Sequence, residues 1–399
     1  MDNPHDDEQI AEIKKELQTN GCVSAAAKIQ TYLDELDNIQ LNIAVTGESG
    51  SGKSTLVNAF RGIHNSETKK AAPTGVKETT IKVTPYPHPN YPNVTLWDLP
   101  GIGTTKFPAD KYLKLVEFKR FDFFIIISAD RFRENDVKLA QEIQKMGKKF
   151  YFVRSKIDHN IRDEEESQGS EFNEEETLKE IREDCIQGLK GCVQSPKVFL
   201  VSSCKLHLYD FPLLEKTFQE ELPAQKRDAL LLALPNISRE IIIKKKEALQ
   251  ARIKYLATMS ALGAAVPVPG LSFAADMAMM VTTIRKYQAT FGLDSESLQR
   301  LAQTVGKPLD ELRSVMTSPL AGKEINKDLI IKILCSSVAF LSLMTAEEGS
   351  RFIPFFGIPA AMGLSFVSTY QSLNMFLDML AEDAQKVLGL NLSMISHWV

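Results

Sequence analysis

Hydrophobic positions change their spacing twice along the chain. From Gln9 to Leu36 apolar residues recur at helical intervals, and Asn20-Gly21 interrupts them, which predicts two short helices. From Leu41 to about Leu222, short runs rich in β-branched and aromatic residues alternate with polar, periodic stretches. This alternation predicts a mostly parallel sheet with helices on both faces. The predicted strands are Leu41–Thr46, Ile81–Thr84, Val94–Trp97, Phe123–Ser128, Lys149–Val153 and Val198–Val201.

Beyond Leu222-Pro223 the strand pattern ends and helical patterns dominate. The acidic run Ile161–Glu176 is predicted to be a solvated loop. We therefore expect N-terminal helices at residues 1–38, an α/β domain at 39–222 and a C-terminal helical domain at 223–399, with the N-terminal helices joining the helical domain. The predicted helices of that domain are Asp228–Met259, Met277–Phe291, Ser295–Thr304, Asp328–Met344 and Leu364–Leu388.

Composition and charge restrict the classes of function. The hydrophobic share of 44% and the charged share of 25% are typical of globular proteins. The formal net charge of −4 gives no positive field for nucleic acid, so no nucleic-acid partner is expected. Five cysteines without C-x-x-C spacing argue against a zinc site or a disulfide framework. The acidic, polar N-terminus does not resemble a signal peptide, so we expect a cytoplasmic protein that is not secreted.

The segment after the first predicted strand carries the strongest chemical signal. It reads G-E-S-G-S-G-K-S and matches the phosphate-binding pattern G-x-x-x-x-G-K-[ST]. Its glycines allow backbone N–H groups to turn toward a phosphate, and the following helix directs its positive end to the same place. Lys53 supplies a cation for the β- and γ-phosphates, and Ser54 a hydroxyl for Mg²⁺. The predicted phosphate-binding residues are Gly47, Glu48, Ser49, Gly50, Ser51, Gly52, Lys53, Ser54 and Thr55.

A second acidic site is predicted where Asp98 follows the strand Val94–Trp97 and begins the sequence D-L-P-G. Asp98 is expected to hold the Mg²⁺ shell, and the Gly101 N–H to meet the γ-phosphate. The polar segment Pro73–Thr80 lies between the two motifs. It is expected to offer a hydroxyl to Mg²⁺ and to release it after hydrolysis. The alternative for any single threonine of this segment is that it lies on the surface of a strand and binds no metal. The candidate threonines are Thr80 or Thr79, with Thr74 third, and the predicted metal ligands are Ser54, Thr80 and Asp98.

The choice of base is predicted from Ser155-Lys156-Ile157-Asp158, which follows the strand Lys149–Val153. Asp158 can accept the N1–H and 2-amino hydrogens of guanine, whereas adenine lacks this pair of donors. The Lys156 stem would cover the face of the base. Serine in place of asparagine at the first position is expected to lose one hydrogen bond of about 1 kcal/mol. Ser202 and Ser203, after the next strand, are expected to supply backbone contacts to guanine O6.

The motifs together resemble a GTPase domain. Their residue sequences are similar to those of the interferon-inducible immunity-related GTPases of vertebrates. The residues that carry this resemblance are Ala44–Gly50, Thr79–Thr80, Trp97–Thr105 and Tyr151–Asp158. The resemblance implies a P-loop GTPase domain joined to a helical domain, with GTP or GDP and Mg²⁺ bound. Because Lys53 is the lysine of the phosphate loop, the chain resembles the lysine-bearing type of the family rather than the type with methionine at this position. Ser155 stands where the family usually has threonine.

The resemblance also implies how such a protein acts. Members self-associate with GTP bound, hydrolyse it slowly and coat intracellular membranes in innate defence. The expected partners are therefore a second copy of the chain, related GTPases and the surface of an intracellular membrane such as the endoplasmic reticulum, the Golgi or a vacuole. Glu78 matches a glutamate of the family that contacts the partner across the nucleotide.

Hydrolysis is expected to be slow in the isolated chain, because Ile102 follows Gly101 and its side chain can neither donate nor accept a hydrogen bond. A second subunit could supply the missing group. A nucleotide-gated scaffold with negligible turnover is the alternative, and Asp158 argues against an ATPase. Arg131 and Arg133 are candidate cations, or else exposed arginines at a helix start. The predicted catalytic residues are Lys53, Thr80, Gly101 and Glu78.

Two stretches without charged side chains, residues 255–275 and 352–377, are long enough to reach across a bilayer. Prolines interrupt both, and the mean hydropathy of the chain is −0.14, so buried helices of a bundle are the first expectation. Reversible contact of one element with a membrane is the alternative. The basic cluster Lys244–Lys246 could face anionic headgroups, although a solvated helix face is the simpler expectation.

Overall fold

Six strands in the described part of the chain form one sheet in the order β2-β3-β1-β4-β5-β6. The structure is a computed structural model and describes residues 4–67, 69–75, 80, 82–102, 112, 116–129, 133–191, 193, 196–264, 271–336 and 363–393. All neighbouring strands are parallel except the edge pair β2 and β3. The strands are β1 (Leu41–Gly47), β2 (Thr84–Pro87), β3 (Val94–Asp98), β4 (Phe123–Ser128), β5 (Lys149–Arg154) and β6 (Val198–Leu200).

The helices fall into two groups that belong to two compact units of the chain. One unit is Ile39–Ser238, and the other combines Met1–Asn38 with Arg239–Val399. In chain order, the helices of both units in the described part of the chain run from α1 to α14. They are α1 (Pro4–Asn20), α2 (Cys22–Asp37), α3 (Lys53–Phe60), α4 (Glu134–Lys145), α5 (Ile157–Gln168), α6 (Glu174–Leu189), α7 (Phe211–Glu221), α8 (Ala224–Ala233), α9 (Arg239–Ala264), α10 (Leu271–Thr290), α11 (Ser295–Val305), α12 (Leu309–Ser314), α13 (Lys327–Ser336) and α14 (Gly363–Ser393).

The sheet is covered on both faces, as its apolar strands require. Every residue of β4 is buried, and so are all but one of β1. The register pairs Val45 with Asp98 and Gly47 with Ile127, so that β1, β3 and β4 end side by side. Parallel strands thereby bring three loops to one edge of the sheet. The predicted fold class, an α/β domain with helices on both faces plus a helical part, is confirmed.

The predicted strand at Ile81–Thr84 is wrong, because the strand in this region begins only at Thr84 and runs antiparallel to β3. Ile81 itself lies outside the described residues. The strand contains Pro85 and Pro87, which lack an N–H and are tolerated at a sheet edge where one side needs no partner. The prediction relied on the β-branched residues of Ile81–Thr84. It did not consider that a strand at the edge of the sheet can contain proline.

The acidic run Ile161–Glu176 is also not a loop, since α5 extends to Gln168 and α6 begins at Glu174. Ile157 and Ile161 are buried four residues apart on one face of α5. Glutamate is a good helix former, so the exposed acidic face does not oppose the helix. The first part of this acidic run therefore belongs to an amphipathic helix.

The sheet unit extends further than the expected boundary at residue 222. Helix α8 contacts β1 and β3, and Lys226 pairs with Asp122 beside the sheet. The predicted single helix Asp228–Met259 is two helices, because Pro235 lies between α8 and α9. The structure thus assigns residues 223–238 to the sheet unit.

The helical unit is organised around α9 and α14, which pack along each other, with α2 against α9 and α1 against α2. Gly21 joins α1 to α2 with φ +84°, which matches the predicted break. Among the described residues, none of the helices is both long enough and apolar enough to span a bilayer. The buried core of this unit includes Ile29, Leu33, Tyr255, Leu262 and Phe366.

The two charge-free stretches lie only partly in this description, as 265–270 and 352–362 fall outside it. Their described parts contribute buried residues, among them Ala261 and Phe376. The basic cluster is not a solvated face, because Lys245 is 1% exposed and donates to the Thr290 carbonyl at 3.0 Å. Lys246 forms an ion pair with Asp378 at 2.7 Å.

Candidate functional site

The phosphate loop connects β1 to α3 through backbone angles that favour glycine. A Cβ on Gly47, where φ is +142°, would lie 2.1 Å from the carbonyl oxygen of Ile127 on β4. Gly50 and Gly52 have φ of +80° and +94°. L-residues rarely adopt such angles, so the loop needs glycine at these three positions. The tight loop leaves α3 with its N-terminus directed at the groove where strands β1 and β3 end.

Lys53 lies along this loop with 6% of its surface exposed. Its Nζ donates to the carbonyl oxygens of Gly47 at 3.2 Å and of Glu48 at 2.7 Å. The ammonium is therefore held directly beside the loop that would surround a phosphate. The buried hydroxyl of Ser51 has no hydrogen-bond partner among the described residues. A phosphate oxygen would satisfy this group, because buried polar atoms are normally paired.

The three predicted metal ligands meet at Asp98, which is fully buried. Its Oδ2 accepts hydrogen bonds from Ser54 Oγ at 2.5 Å and from Thr80 Oγ1 at 2.9 Å. The two hydroxyl oxygens are 3.4 Å apart. Of the candidate threonines, Thr80 is therefore next to the carboxylate and Thr74 lines the adjacent cavity. Thr79 and Glu78 lie outside the described residues.

This arrangement fits a Mg²⁺ ion. The second carboxylate oxygen of Asp98, Oδ1, is buried and has no hydrogen-bond partner in the part of the chain that the structure describes. Burial raises the pKa of Asp98, while the hydrogen bonds from Ser54 and Thr80 and the charge of Lys53 oppose this shift. A carboxylate and two hydroxyls are hard oxygen donors of the kind that Mg²⁺ prefers, with phosphate oxygens completing its shell. An ion would satisfy the unpaired oxygen.

Gly101 approaches the phosphate loop so closely that a Cβ there would lie 2.9 Å from the Ser49 backbone nitrogen. The next residue, Ile102, donates its N–H to the Gly47 carbonyl at 3.2 Å. Its side chain is 3% exposed and packs in the main core of the sheet unit. The position after Gly101 thus anchors the loop and offers no polar side chain to a nucleotide.

Sequence reasoning missed Tyr112, which joins the two phosphate motifs from behind. Its hydroxyl is 2.8 Å from Thr46 Oγ1 and donates to the Pro100 carbonyl at 2.7 Å. Tyr112 is fully buried, and burial raises its pKa. A lone tyrosine 14 residues after Asp98 has no spacing that signals this role.

Two adjoining cavities form a groove across the loop ends. The first is the phosphate cavity, and the second lies at the ends of β4, β5 and β6 and contains Asp158 and Ser203. Gly52, Thr55 and Lys156 line both cavities. Ser202 is buried, and its Oγ accepts a hydrogen bond from the Lys205 N–H at 3.2 Å. Residues from distant parts of the sequence therefore face one groove.

Ser155 supports the phosphate loop and also lines the cavity that contains Asp158. Its Oγ donates to the Ser51 carbonyl at 2.6 Å and lies 3.3 Å from the Ser128 carbonyl. The side chain is 1% exposed. The Ser155 hydroxyl bonds the loop and the end of β4, and the expectation that serine here loses a hydrogen bond to the ligand stays a prediction.

Glu48 and Arg133 are paired with each other. Arg133 Nη1 donates to one carboxylate oxygen of Glu48 at 2.7 Å, and Asn135 Nδ2 donates to the other at 2.8 Å. This pair joins the phosphate loop to the start of α4. Arg133 is an exposed arginine at the start of α4, as expected, and its charge is paired with Glu48. Arg131 lies outside the described residues.

Comparison with known proteins agrees with this geometry. The family model "Interferon-inducible GTPase (IIGP)" matches residues 6–390. Interferon-inducible GTPase 5 of Bos taurus is 44% identical over 95% of this chain and 81% of its own length. Interferon-gamma-inducible GTPase 10 of Mus musculus is 41% identical over 96% of this chain and 88% of its own.

Among solved structures, NFeoB from S. thermophilus is 16% identical and superimposes with a TM-score of 0.31, covering 62% of this chain and 92% of its own. The family model matches almost the whole chain, and the two relatives are more than 40% identical to it, so these comparisons establish the family. The chain belongs to the interferon-inducible GTPase family and is a GTP-hydrolysing enzyme.

Proposed function

We propose that this protein is a slow GTPase that a second copy of the chain stimulates when GTP is bound. The observation that carries the proposal is the position of Ile102. Its buried aliphatic side chain stands where a GTPase could keep a group that orients water, and its backbone N–H is used by the Gly47 carbonyl. A positioned polar group is what the site would gain from outside.

The groove supports guanine nucleotide as the substrate. The triphosphate would lie against the loop Gly47–Ser54 with Lys53 at the β- and γ-phosphates, and the base would lie in the cavity of Asp158. The carboxylate of Asp158 matches the two N–H donors on one edge of guanine. Lys156 lines both cavities, so its stem can cover the base beside the phosphates.

Hydrolysis breaks the bond between the γ-phosphorus and the oxygen that bridges it to the β-phosphate, and water supplies the new oxygen. In this site Lys53 neutralises phosphate charge, and the Gly101 N–H can donate to the γ-phosphate. Ser54, Thr80 and Asp98 would hold Mg²⁺, which supplies further neutralisation of the phosphates when bound. The aliphatic side chain of Ile102 offers no hydrogen-bond donor or acceptor that could position the attacking water.

The missing group is therefore expected from a partner. In a dimer that faces itself across the nucleotides, Glu78 of the second subunit is our candidate for orienting water or nucleotide. A gain in positioning of this kind raises the rate of a slow site without new covalent chemistry.

The test is the hydrolysis rate per subunit as a function of protein concentration. We expect the rate to rise over the range in which light scattering with a non-hydrolysable GTP analogue detects dimers. A rate that stays constant while dimers form would contradict the proposal. Negligible turnover at every concentration would favour the alternative, a nucleotide-gated scaffold that regulates partners.

We further propose that the protein works in the cytoplasm, in innate defence, as a peripheral protein of an intracellular membrane such as the endoplasmic reticulum, the Golgi or a vacuole. Related GTPases are proposed as partners besides the chain itself. Membership of the family supports this part. Flotation of the full chain with vesicles, compared between GDP and the GTP analogue, tests it, and the absence of binding in both states would contradict it.

A further inference from the structure

A stripe on one face of α3 contacts described parts of residues 70–87, the segment that follows this helix and ends with the edge strand β2. The stripe consists of Ser54, Asn58 and the C-cap residue Arg61, which are spaced by four and three residues and so share one face. Ser54 is next to Thr80, as described above. Because the same helix begins at Lys53, this face is fixed relative to the phosphate site.

Asn58 holds the beginning of that segment with its whole side-chain amide. Its Oδ1 accepts from the Ala72 N–H at 2.7 Å, and its Nδ2 donates to the Ala72 carbonyl at 2.9 Å. The second Nδ2 hydrogen goes to Asn65 Oδ1 at 2.9 Å. Asn58 is 0% exposed, so water does not substitute for these bonds. Gripping both polar groups of one residue fixes its orientation as well as its position.

Arg61 holds the same segment at two further points. Its Nη1 donates to the Lys70 carbonyl at 2.9 Å, and its Nε to the Pro87 carbonyl at 3.1 Å. The guanidinium also lies over the Tyr86 ring, 5.3 Å from the centroid. Arg61 is 6% exposed. The segment between Lys70 and Pro87 is therefore attached to α3 at both ends.

Residues close to these attachment points face the γ-phosphate end of the groove. Thr74 and Gly75, two and three residues after Ala72, line the phosphate cavity together with Thr80. Three residues of extended chain span at most about 11 Å, so the grip on Ala72 restricts where they can lie. The described lining of the cavity that contains Asp158 has no contribution from this segment.

We propose that Asn58 is a positioning residue for recognition of the γ-phosphate, acting through the segment that carries Thr74 and Thr80. The inference rests on the proposed GTP site. It goes beyond it by separating two kinds of contact: the loop and base cavity, which GDP also uses, and the tethered segment, which matters only when a γ-phosphate is present.

The experiment compares the affinity of the full-length chain for GDP and for a non-hydrolysable GTP analogue by calorimetry with Mg²⁺ present. Asn58→Ala is expected to weaken binding of the analogue about tenfold, because a misplaced segment loses about one good hydrogen bond to the ligand. GDP binding should stay within about twofold. Added to Thr80→Ala, the Asn58→Ala change should cause little further loss, since both act through the same contact.

Asn93→Ala is the matched control. Asn93 is also a buried asparagine whose amide donates to a backbone carbonyl, that of Ile39 at 2.8 Å, and this partner lies outside the segment. It should lower the melting temperature without changing the ratio of the two affinities.

If Asn58→Ala does not bind GDP at one molecule per chain, Asn58→Asp replaces it. Aspartate keeps the acceptor for Ala72 and lacks the donors, so the same selective loss is expected. Equal weakening of both ligands, or an unchanged ratio, would overturn the inference. A wild-type chain that binds neither nucleotide would instead contradict the proposed function.

Discussion

Single side-chain groups connect distant parts of the chain at the edge where the parallel strands end. The Ser155 hydroxyl joins the end of β5 to the phosphate loop 104 residues earlier, and Asp98 joins β3 to α3. Ser155 and Asp98 are both buried. A buried carbonyl that loses its donor carries a cost of about 1–3 kcal/mol, so single hydroxyls of this kind matter for the shape of the loop.

We predict that Ser155→Ala weakens GTP and GDP alike, by about five- to tenfold, because the Ser51 carbonyl loses its donor and the loop loses its support. Ser155→Thr keeps the hydroxyl and should bind nearly as wild type. Titration of both nucleotides by calorimetry measures the effect. Unchanged affinity in Ser155→Ala would show that the loop holds its shape without this bond.

Motif residues could be predicted from sequence because their chemistry depends on local spacing. Lys53 and Ser54 are adjacent in a loop between a strand and a helix, so the pattern alone locates them. Asn58 and Tyr112 could not be found in this way. Their partners, Ala72 and Pro100, are backbone groups of other segments, and any residue type can supply those.

Helix α4 shows how one element combines capping with burial of charge. The Arg133 N–H donates to Asp136 Oδ2 at 3.2 Å in the first turn. Asp136 is 1% exposed, and burial raises its pKa to about 6, with the nearby Glu48 acting in the same direction and the Arg133 N–H opposing it. The charged form of Asp136 is therefore disfavoured in the folded protein.

This shift predicts a specific pH dependence of stability. A carboxyl whose folded pKa lies above its unfolded value of 3.8 stabilises the fold when protonated, and this contribution is lost as pH rises through about 6. Relative to Asp136→Asn, which does not titrate, the wild-type free energy of unfolding should fall by about 1 kcal/mol between pH 5 and 7. Urea unfolding of both proteins measures it. A difference that is constant or grows with pH would contradict the assignment.

The elements that sequence reasoning misread have physical causes in common. The acidic run was predicted to be a loop because of its charge, although it contains part of α5, and the strand before β3 was predicted to end at Thr84, where β2 begins. Tertiary position decides in each case: two isoleucines of α5 face the core, and β2 lies at the edge of the sheet. Pattern recognition was sound for β4, which is buried on both faces.

At the scale of the whole molecule, the chain consists of a sheet unit that contains the nucleotide groove and a helical unit built from both ends of the chain. The first division, after residue 38, follows from the change from helical to strand spacing. The second could not be read as well, because α8 and α9 carry the same helical pattern and only packing assigns α8 to the sheet. The buried Lys245 was equally unpredictable, because lysine is usually exposed.

The central claim is that the sheet unit binds guanine nucleotide with Asp158 at the base. The amide of an Asp158→Asn variant would offer an N–H₂ where wild type offers only acceptors, and xanthine carries a carbonyl oxygen where guanine has its 2-amino group. Asp163→Asn is the matched control, because Asp163 lines the same cavity.

The most direct measurement is competition between GTP and xanthosine triphosphate for wild type and both variants. We predict that wild type and Asp163→Asn prefer GTP by at least about 100-fold, and that Asp158→Asn prefers xanthosine triphosphate. An Asp158→Asn protein that still prefers GTP as strongly as wild type would contradict the account.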